Sequence, residues 1–192
     1  IQIMVHPGPS DHSTSYATLR GAPLEPVPVS AAVNVELRGF DREGNAQSYE
    51  ARYPRDDWRI VATFRGGNTN DPFTIQSSDP SFDDASGTYG ASFATTRAGV
   101  YDIAASLLDR TSGAFRSVRF LPDGSNSVTV APGPVDIAKS HVDAAEVSLG
   151  GDVGDVVRFT MHAVDVHGNR VSSTDAAALE CAATLAKTDD SG

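Results

Sequence analysis

The chain of 192 residues has room for one large domain or two small ones, and 40% apolar residues suffice to build a core. Its formal net charge of -10, from 15 Lys and Arg against 25 Asp and Glu, argues against a nucleic-acid surface, which needs clustered positive charge to displace counterions, and against a polybasic membrane patch. No apolar run approaches the roughly 18 residues of a membrane span, and Ile1 to Ser10, with its prolines and histidine, lacks the basic start of a secretory leader.

In chain order, the first clear element is a strand in which Val33, Val35 and Leu37 alternate with Asn34, Glu36 and Arg38. Period two over a short stretch is the pattern of a half-buried strand. Asp41-x-x-Gly44-Asn45 closes it with residues that tolerate left-handed dihedrals. Further strands are expected at Trp58–Phe64, Phe73–Gln76, Thr88–Phe93, Val100–Leu107 and Ser127–Val130, each set off by Gly, Pro, Asn or Asp. Then Phe159 and Met161 alternate with Thr160 and His162, and Asp165-x-x-Gly168-Asn169 follows. The 17 glycines and 11 prolines fit this punctuation and oppose long helices. Many short strands with turns between them read as a sandwich or barrel.

The chain also repeats itself. Pro7-Gly8-Pro9-Ser10-Asp11 reappears 125 residues on as Pro132-Gly133-Pro134-Val135-Asp136. The Asp41 turn returns 124 residues on at Asp165, and Trp58–Phe64 is matched by Leu179–Leu185. Three blocks in one order at nearly one offset imply a tandem array. The expected division is 1–8 as the end of one repeat, 9–131 as a whole repeat, and 132–192 as the first half of another. Half a sandwich would expose an apolar face and unpaired sheet edges, so the polypeptide is expected to continue past Gly192.

Ala98-Gly99-Val100-Tyr101-Asp102-Ile103 has the spacing of an immunoglobulin tyrosine corner. In that motif a tyrosine near the start of strand F bonds back to the backbone, two residues before a core position that antibody domains fill with cysteine. Here Ile103 holds that position, Leu37 stands for the other cysteine on strand B, and Trp58 is expected as the buried tryptophan of strand C. Cys181 is the sole cysteine, so apolar packing replaces the bridge. With no Asn-x-Ser/Thr sequon, the single cysteine leans towards a reducing compartment.

Taken together, the blocks resemble filamin-type immunoglobulin repeats. The resemblance rests on Asp11 with Ser15, Asp136 with Ser140, both Asp-x-x-Gly-Asn turns, Gly87-Thr88-Tyr89, Ala98-Gly-Val-Tyr101 and Gly124-Ser-Asn-Ser-Val-Thr-Val130. Two features depart from the pattern: Asn126 replaces a proline, and the unit is longer than usual, the extra length lying in Ala46–Asp57 and Leu108–Asp123. The resemblance implies an all-β chain of antiparallel immunoglobulin-like sandwiches in tandem. It implies partners that dock by adding a strand beside strand C, in the groove towards strand D. The candidate edge comprises Trp58, Arg59, Ile60, Val61 and Thr63, with Phe73 and Ile75 on the opposite wall. On this reading Val61 or Thr63 turns its N–H outwards. The alternative is an edge covered by one of the two insertions.

Residue patterns for catalysis are missing: there is no Gly-x-Ser-x-Gly elbow, no phosphate-cradling glycine loop and no His-Glu-x-x-His. Cys181 aligns with Ile60 and reads as a buried thiol. His6, His12, His141, His162 and His167 read as surface or turn residues, with only His162 and His167 close, across a turn. Asp41-x-Glu43-x-Asn45 starts like a calcium loop, but Ala46 and Arg52 stand where glycine and a bidentate glutamate are needed. Asp71, Asp79, Asp83 and Asp84 read as a solvated loop. Arg52, Arg55, Arg59, Arg65, Arg116 and Arg119 read as scattered surface charge. No cofactor or metal is expected.

The expected function is that of a non-enzymatic structural and interaction module. The resemblance implies a spacer and docking platform in a cytoplasmic cytoskeletal or ciliary scaffold, with other proteins and adjacent repeats as partners. The alternative is an ectodomain repeat of a cell-surface adhesion or gamete-interaction protein.

Overall fold

A computed structural model describes residues 6–20, 25–47, 55–65, 73–122, 125–142 and 160–172. The chain divides into two compact units, Ile1–Pro132 and Gly133–Gly192. No helix occurs among the described residues.

Among the described residues the first unit contains eleven strands: β1 (Tyr16–Arg20), β2 (Val27–Pro28), β3 (Val33–Arg38), β4 (Trp58–Phe64), β5 (Thr74–Gln76), β6 (Ser81–Asp83), β7 (Thr88–Phe93), β8 (Gly99–Asp109), β9 (Ala114–Ser117), β10 (Arg119–Leu121) and β11 (Ser127–Ala131). They form two sheets, ordered β10-β1-β3-β7-β6 and β2-β11-β8-β4-β5, with β9 also on β8. Only the β1–β10 and β2–β11 pairings are parallel among those formed by these strands. The sequence β1-β3-β7-β6 is the A-B-E-D sheet of an immunoglobulin sandwich, and β4-β8-β11 is its C-F-G sheet.

The alternation seen in the sequence sets the core. Val33, Val35 and Leu37 point inward from β3, and Trp58, Ile60 and Ala62 from β4. Tyr89, Ala91 and Phe93 do so from β7, and Tyr101, Ile103, Ala105 and Leu107 from β8. Leu37 and Ile103 are both fully buried; these are the positions where antibody domains carry the bridge. Trp58 leans on Tyr89, with ring centroids 5.9 Å apart.

Tyr101, also fully buried, donates its hydroxyl hydrogen to the Arg97 carbonyl at 2.9 Å. Thr95 Oγ1 lies 3.1 Å from the same hydroxyl and accepts the Arg97 N–H at 3.1 Å. This ties the turn before β8 to the core. At Gly99, φ is +140° and a Cβ would fall 2.4 Å from the Phe64 ring. The ring therefore occupies the space that a side chain at 99 would need. Tyr101→Phe should cost on the order of 1 kcal/mol through the lost buried hydrogen bond, read as a shift in a urea melt with unchanged slope.

The Leu108–Asp123 insertion is folded into both sheets. β9 pairs with Ser106–Asp109 of β8, and β11 pairs with Gly99–Asp102 of the same strand. Strand G is thus split in two. Between its halves the chain crosses to the other sheet, where β10 lies parallel to β1 and buries Val118 and Phe120. Asn126 rejoins β8 through its side-chain amide, 2.9 Å from the Ile103 carbonyl. The insertion thereby covers the outer edge of β1, a device that protects a sheet from edge-to-edge association.

In the second unit, β12 (His141–Val142) pairs antiparallel with β13 (Met161–His162), and single bridges join Val135 to Asp165 and Val164 to Arg170. Leu179–Leu185, with Cys181, lies outside the described residues, as do Arg52, Asp71 and most of Ala46–Asp57.

Candidate functional site

Two places in the fold are candidates for function: the turn that repeats, and the edge beside strand C.

The repeated turn is built around a buried aspartate. Asp41 is 3% exposed and Asp165 is fully buried. Asp41 Oδ1 accepts the N–H groups of Glu43 (3.1 Å) and Asn45 (2.8 Å). Its Oδ2 accepts the Asn45 side-chain amide at 2.9 Å and the Gly8 N–H at 3.0 Å. The glycine of the turn sits at φ 86°, where a side chain would be strained. Asp165 repeats this set with His167 N, Asn169 N, Asn169 Nδ2 and Gly133 N, all at 2.8–2.9 Å. The neighbouring ties repeat too. Asp11 N bonds to the Phe40 carbonyl and Asp136 N to that of Val164, both at 2.8 Å. Ser15 Oγ accepts the Phe40 N–H at 3.0 Å, and Ser140 Oγ accepts the Val164 N–H at 3.2 Å.

A carboxylate offers about four lone-pair sites. Here the four are filled by N–H donors, so Asp41 has none left for a cation, and the resemblance to a calcium loop ends at its first residue. The donors also set its acidity. The Asn45 amide and the N–H groups around it hold the Asp41 carboxyl below its ordinary value. At Asp165 burial pushes the pKa up, but the Asn169 side chain and the N–H groups of Gly133, Asn169 and His167 outweigh it and bring the pKa to about 2. A depressed folded pKa stabilises the fold above the unfolded value, and that stability is lost as pH falls through the folded one. Stability should therefore decline between about pH 4, near the ordinary carboxyl pKa, and pH 2. Urea midpoints across this range should fall, and the slope with pH should be shallower in Asp41→Asn.

At the second candidate the structure corrects the sequence reading. Along Val61–Thr63 the outer side of β4 is not open, because β5 pairs with it antiparallel, Val61 opposite Gln76, Ala62 opposite Ile75 and Thr63 opposite Thr74. Phe73 and Ile75 are therefore not the far wall of a groove; they continue a strand already added to β4. The direction of the N–H groups is also reversed. Phe64 N bonds to the Phe73 carbonyl and Ser77 N to that of Ile60, whereas Arg65 N bonds to Val100 and Leu108 N to Asp57. Bonding alternates along an antiparallel pair. Ile60, Ala62 and Phe64 thus face β5, while Val61 and Thr63 face β8 inside the sheet. Whichever strand flanks β4 decides this parity, and the alternation of side chains carries no sign of it.

The sheet edge is displaced to β5. There Ile75 is half-buried and bonds inward, and the backbone groups of Thr74 and Gln76 point away from β4. A hollow of about 310 Å³ lies beside the strand, lined by Ser30, Phe73, Ile75, Ala94, Thr95 and Thr96. Phe73 is 41% exposed, and the Arg97 guanidinium sits 5.4 Å from its ring and 3.9 Å from that of Phe64.

Other expected residues are dispersed. Arg65 pairs with Asp102, Arg59 lies over the Phe115 ring at 4.2 Å, and Arg55 lies 4.0 Å from Asp84. His141 and His162 lie opposite each other across β12 and β13 with tilted rings 5.2 Å apart, a pairing the sequence reading missed because it depends on strand register. Among the described residues no group of three His, Cys, Asp or Glu gathers to hold a metal.

Fold and site define a class: an immunoglobulin-like β-sandwich whose entry turn is repeated one unit further along the chain. No family model matches the chain, and no curated protein does. Among solved structures it is similar to FdeC, a broadly conserved Escherichia coli adhesin, at 17% identity and a TM-score of 0.45, over 85% of this chain and 44% of that one. The chain thus spans less than half the length of that adhesin chain.

Proposed function

We propose that the chain is a non-enzymatic stretch of a tandem immunoglobulin-like array, serving as spacer and protein-docking unit. The observation that carries this reading is the doubled turn: six hydrogen bonds between Gly8 and Asn45 recur between Gly133 and Asn169. A sequence that preserves an entry turn at a fixed offset is building similar units in series. Docking falls at β5, where an extended peptide gains main-chain bonds from Thr74 and Gln76 and can seat a side chain in the hollow beside Phe73.

Two settings suit such an array. The filamin-type resemblance implies an intracellular scaffold; the alternative is a cell-surface adhesion protein, the class to which FdeC belongs. Electron micrographs of the native full-length polypeptide should show a string of similar beads, and one compact particle would refute the array. Surface biotinylation of intact cells separates the settings: labelling places the array outside the cell, and its absence with labelling after lysis places it inside.

A further inference from the structure

We propose that the buried carboxylate of Asp41, and that of Asp165 in the second unit, is a tension latch. It ties the Pro–Gly lead of a repeat to the turn that closes its second core strand, so that pull arriving through the lead is borne at this turn before it reaches β1. The proposal rests on the array reading for the source of the pull.

The geometry separates this role from that of a turn. A tight Asx turn needs only one carboxylate oxygen, and here Oδ1 serves it by accepting from residues two and four ahead. The second oxygen reaches out of the turn to an N–H 33 residues earlier, at Gly8, and 32 residues earlier, at Gly133. The asparagine amide holds that oxygen in place in both units. Gly8 is gripped from its other side as well, since Gln47 Nε2 donates to its carbonyl. A few residues on, Asp11 N bonds to the Phe40 carbonyl. The lead is therefore fastened on both sides of β3's exit before β1 begins.

The mechanical consequence follows from strand order. β1 pairs antiparallel with β3, and its first residue, Tyr16, lies opposite Arg38, the last of β3. A pull on an unfastened Tyr16 would open that ladder one bond at a time. With the lead fastened to residues 40–47, the first bonds loaded are several at once, one of them at a buried carboxylate. Bonds to an ionised acceptor are about twice as strong as neutral ones, and releasing Gly8 would leave a buried lone pair unfilled.

The glycine supplies a clean test. A Cβ on Gly8 would lie 3.7 Å from Asp41 Cβ, an ordinary contact. Gly8→Ala therefore keeps the latch, while Gly8→Pro removes the one N–H that makes it. The whole 192-residue chain would be tethered by its ends in optical tweezers at constant force, and each variant also unfolded in urea. Gly8→Pro should unfold the first unit about 10-fold faster than Gly8→Ala under load, the loss expected of one charge-assisted bond, and the gap should be smaller in urea. Equal rates under load, or the same gap in both experiments, would overturn the proposal. A zero-load readout is independent of the array: in Asp41→Asn, hydrogen exchange at the Gly8 amide should quicken about 10-fold or more while β8 amides keep their protection. Undiminished protection at Gly8 would also sink it. If Asp41→Asn does not fold, the Gly8 pair decides alone, because its carboxylate is intact. Micrographs lacking beads would refute the array and leave the exchange result standing.

Discussion

Replacing Trp58 with alanine should destabilise the first unit by ~3–5 kcal/mol, the range for removing a large aromatic from a packed core. Trp58 is 7% exposed at the start of β4. Its indole rests against Tyr89, whose other neighbour, Phe82, has its centroid 4.9 Å away. Tyr89 in turn accepts the Asp56 N–H at 2.7 Å through its hydroxyl, fixing the approach to β4. The cavity would thus open beneath an aromatic cluster that joins the two sheets. Urea melts should show a lower midpoint with unchanged slope. A loss under about 1 kcal/mol would mean that the indole does not anchor the two sheets.

The parts of this fold that were legible in the sequence are those governed by local rules. Period-two stretches gave β3, β4, β7 and β8 within a residue or two, because one face of each is buried along its whole length. Tyr101 and Ile103 could be placed from spacing, since the corner is made within four residues of chain. What could not be read depends on partners far away. Tyr16–Arg20 holds only Ala17 and Leu19 on its inner face, too weak an alternation to stand out. β10 is three residues long and owes its existence to β1, a strand about a hundred residues earlier; a parallel pairing of that separation leaves no local trace. The Asp41 turn was visible as a turn, but its second oxygen was not visible as a fastening for Gly8. A carboxylate in a turn motif looks the same whether its outer lone pairs meet water or another segment.

The displaced edge gives the other large effect. Val61→Pro should disrupt the fold rather than a binding surface. Val61 lies opposite Ala104 in the β4–β8 ladder, and its N–H points into that ladder. Proline there removes a bond between two central strands and forces its ring against the carbonyl it displaces, at a cost of about 3 kcal/mol or more. Thr63→Pro should behave alike, since Thr63 faces Asp102 in the same ladder. Gln76→Pro is the contrast. Gln76 lies opposite Val61 across β4–β5, but its N–H points away from β4, so proline removes no bond of the sandwich and is tolerated as on other edge strands. Circular dichroism melts should therefore separate the variants, with Val61→Pro and Thr63→Pro unfolded or strongly destabilised and Gln76→Pro close to the parent. In pull-downs with a partner that docks as an added strand, Gln76→Pro should lose binding while keeping its melt, because the N–H it lacks is one the incoming strand would use. A folded Gln76→Pro that binds as the parent does would remove β5 as the docking edge and leave the loops at the two ends of the sandwich to carry the interaction, where immunoglobulin-like domains place their other contacts.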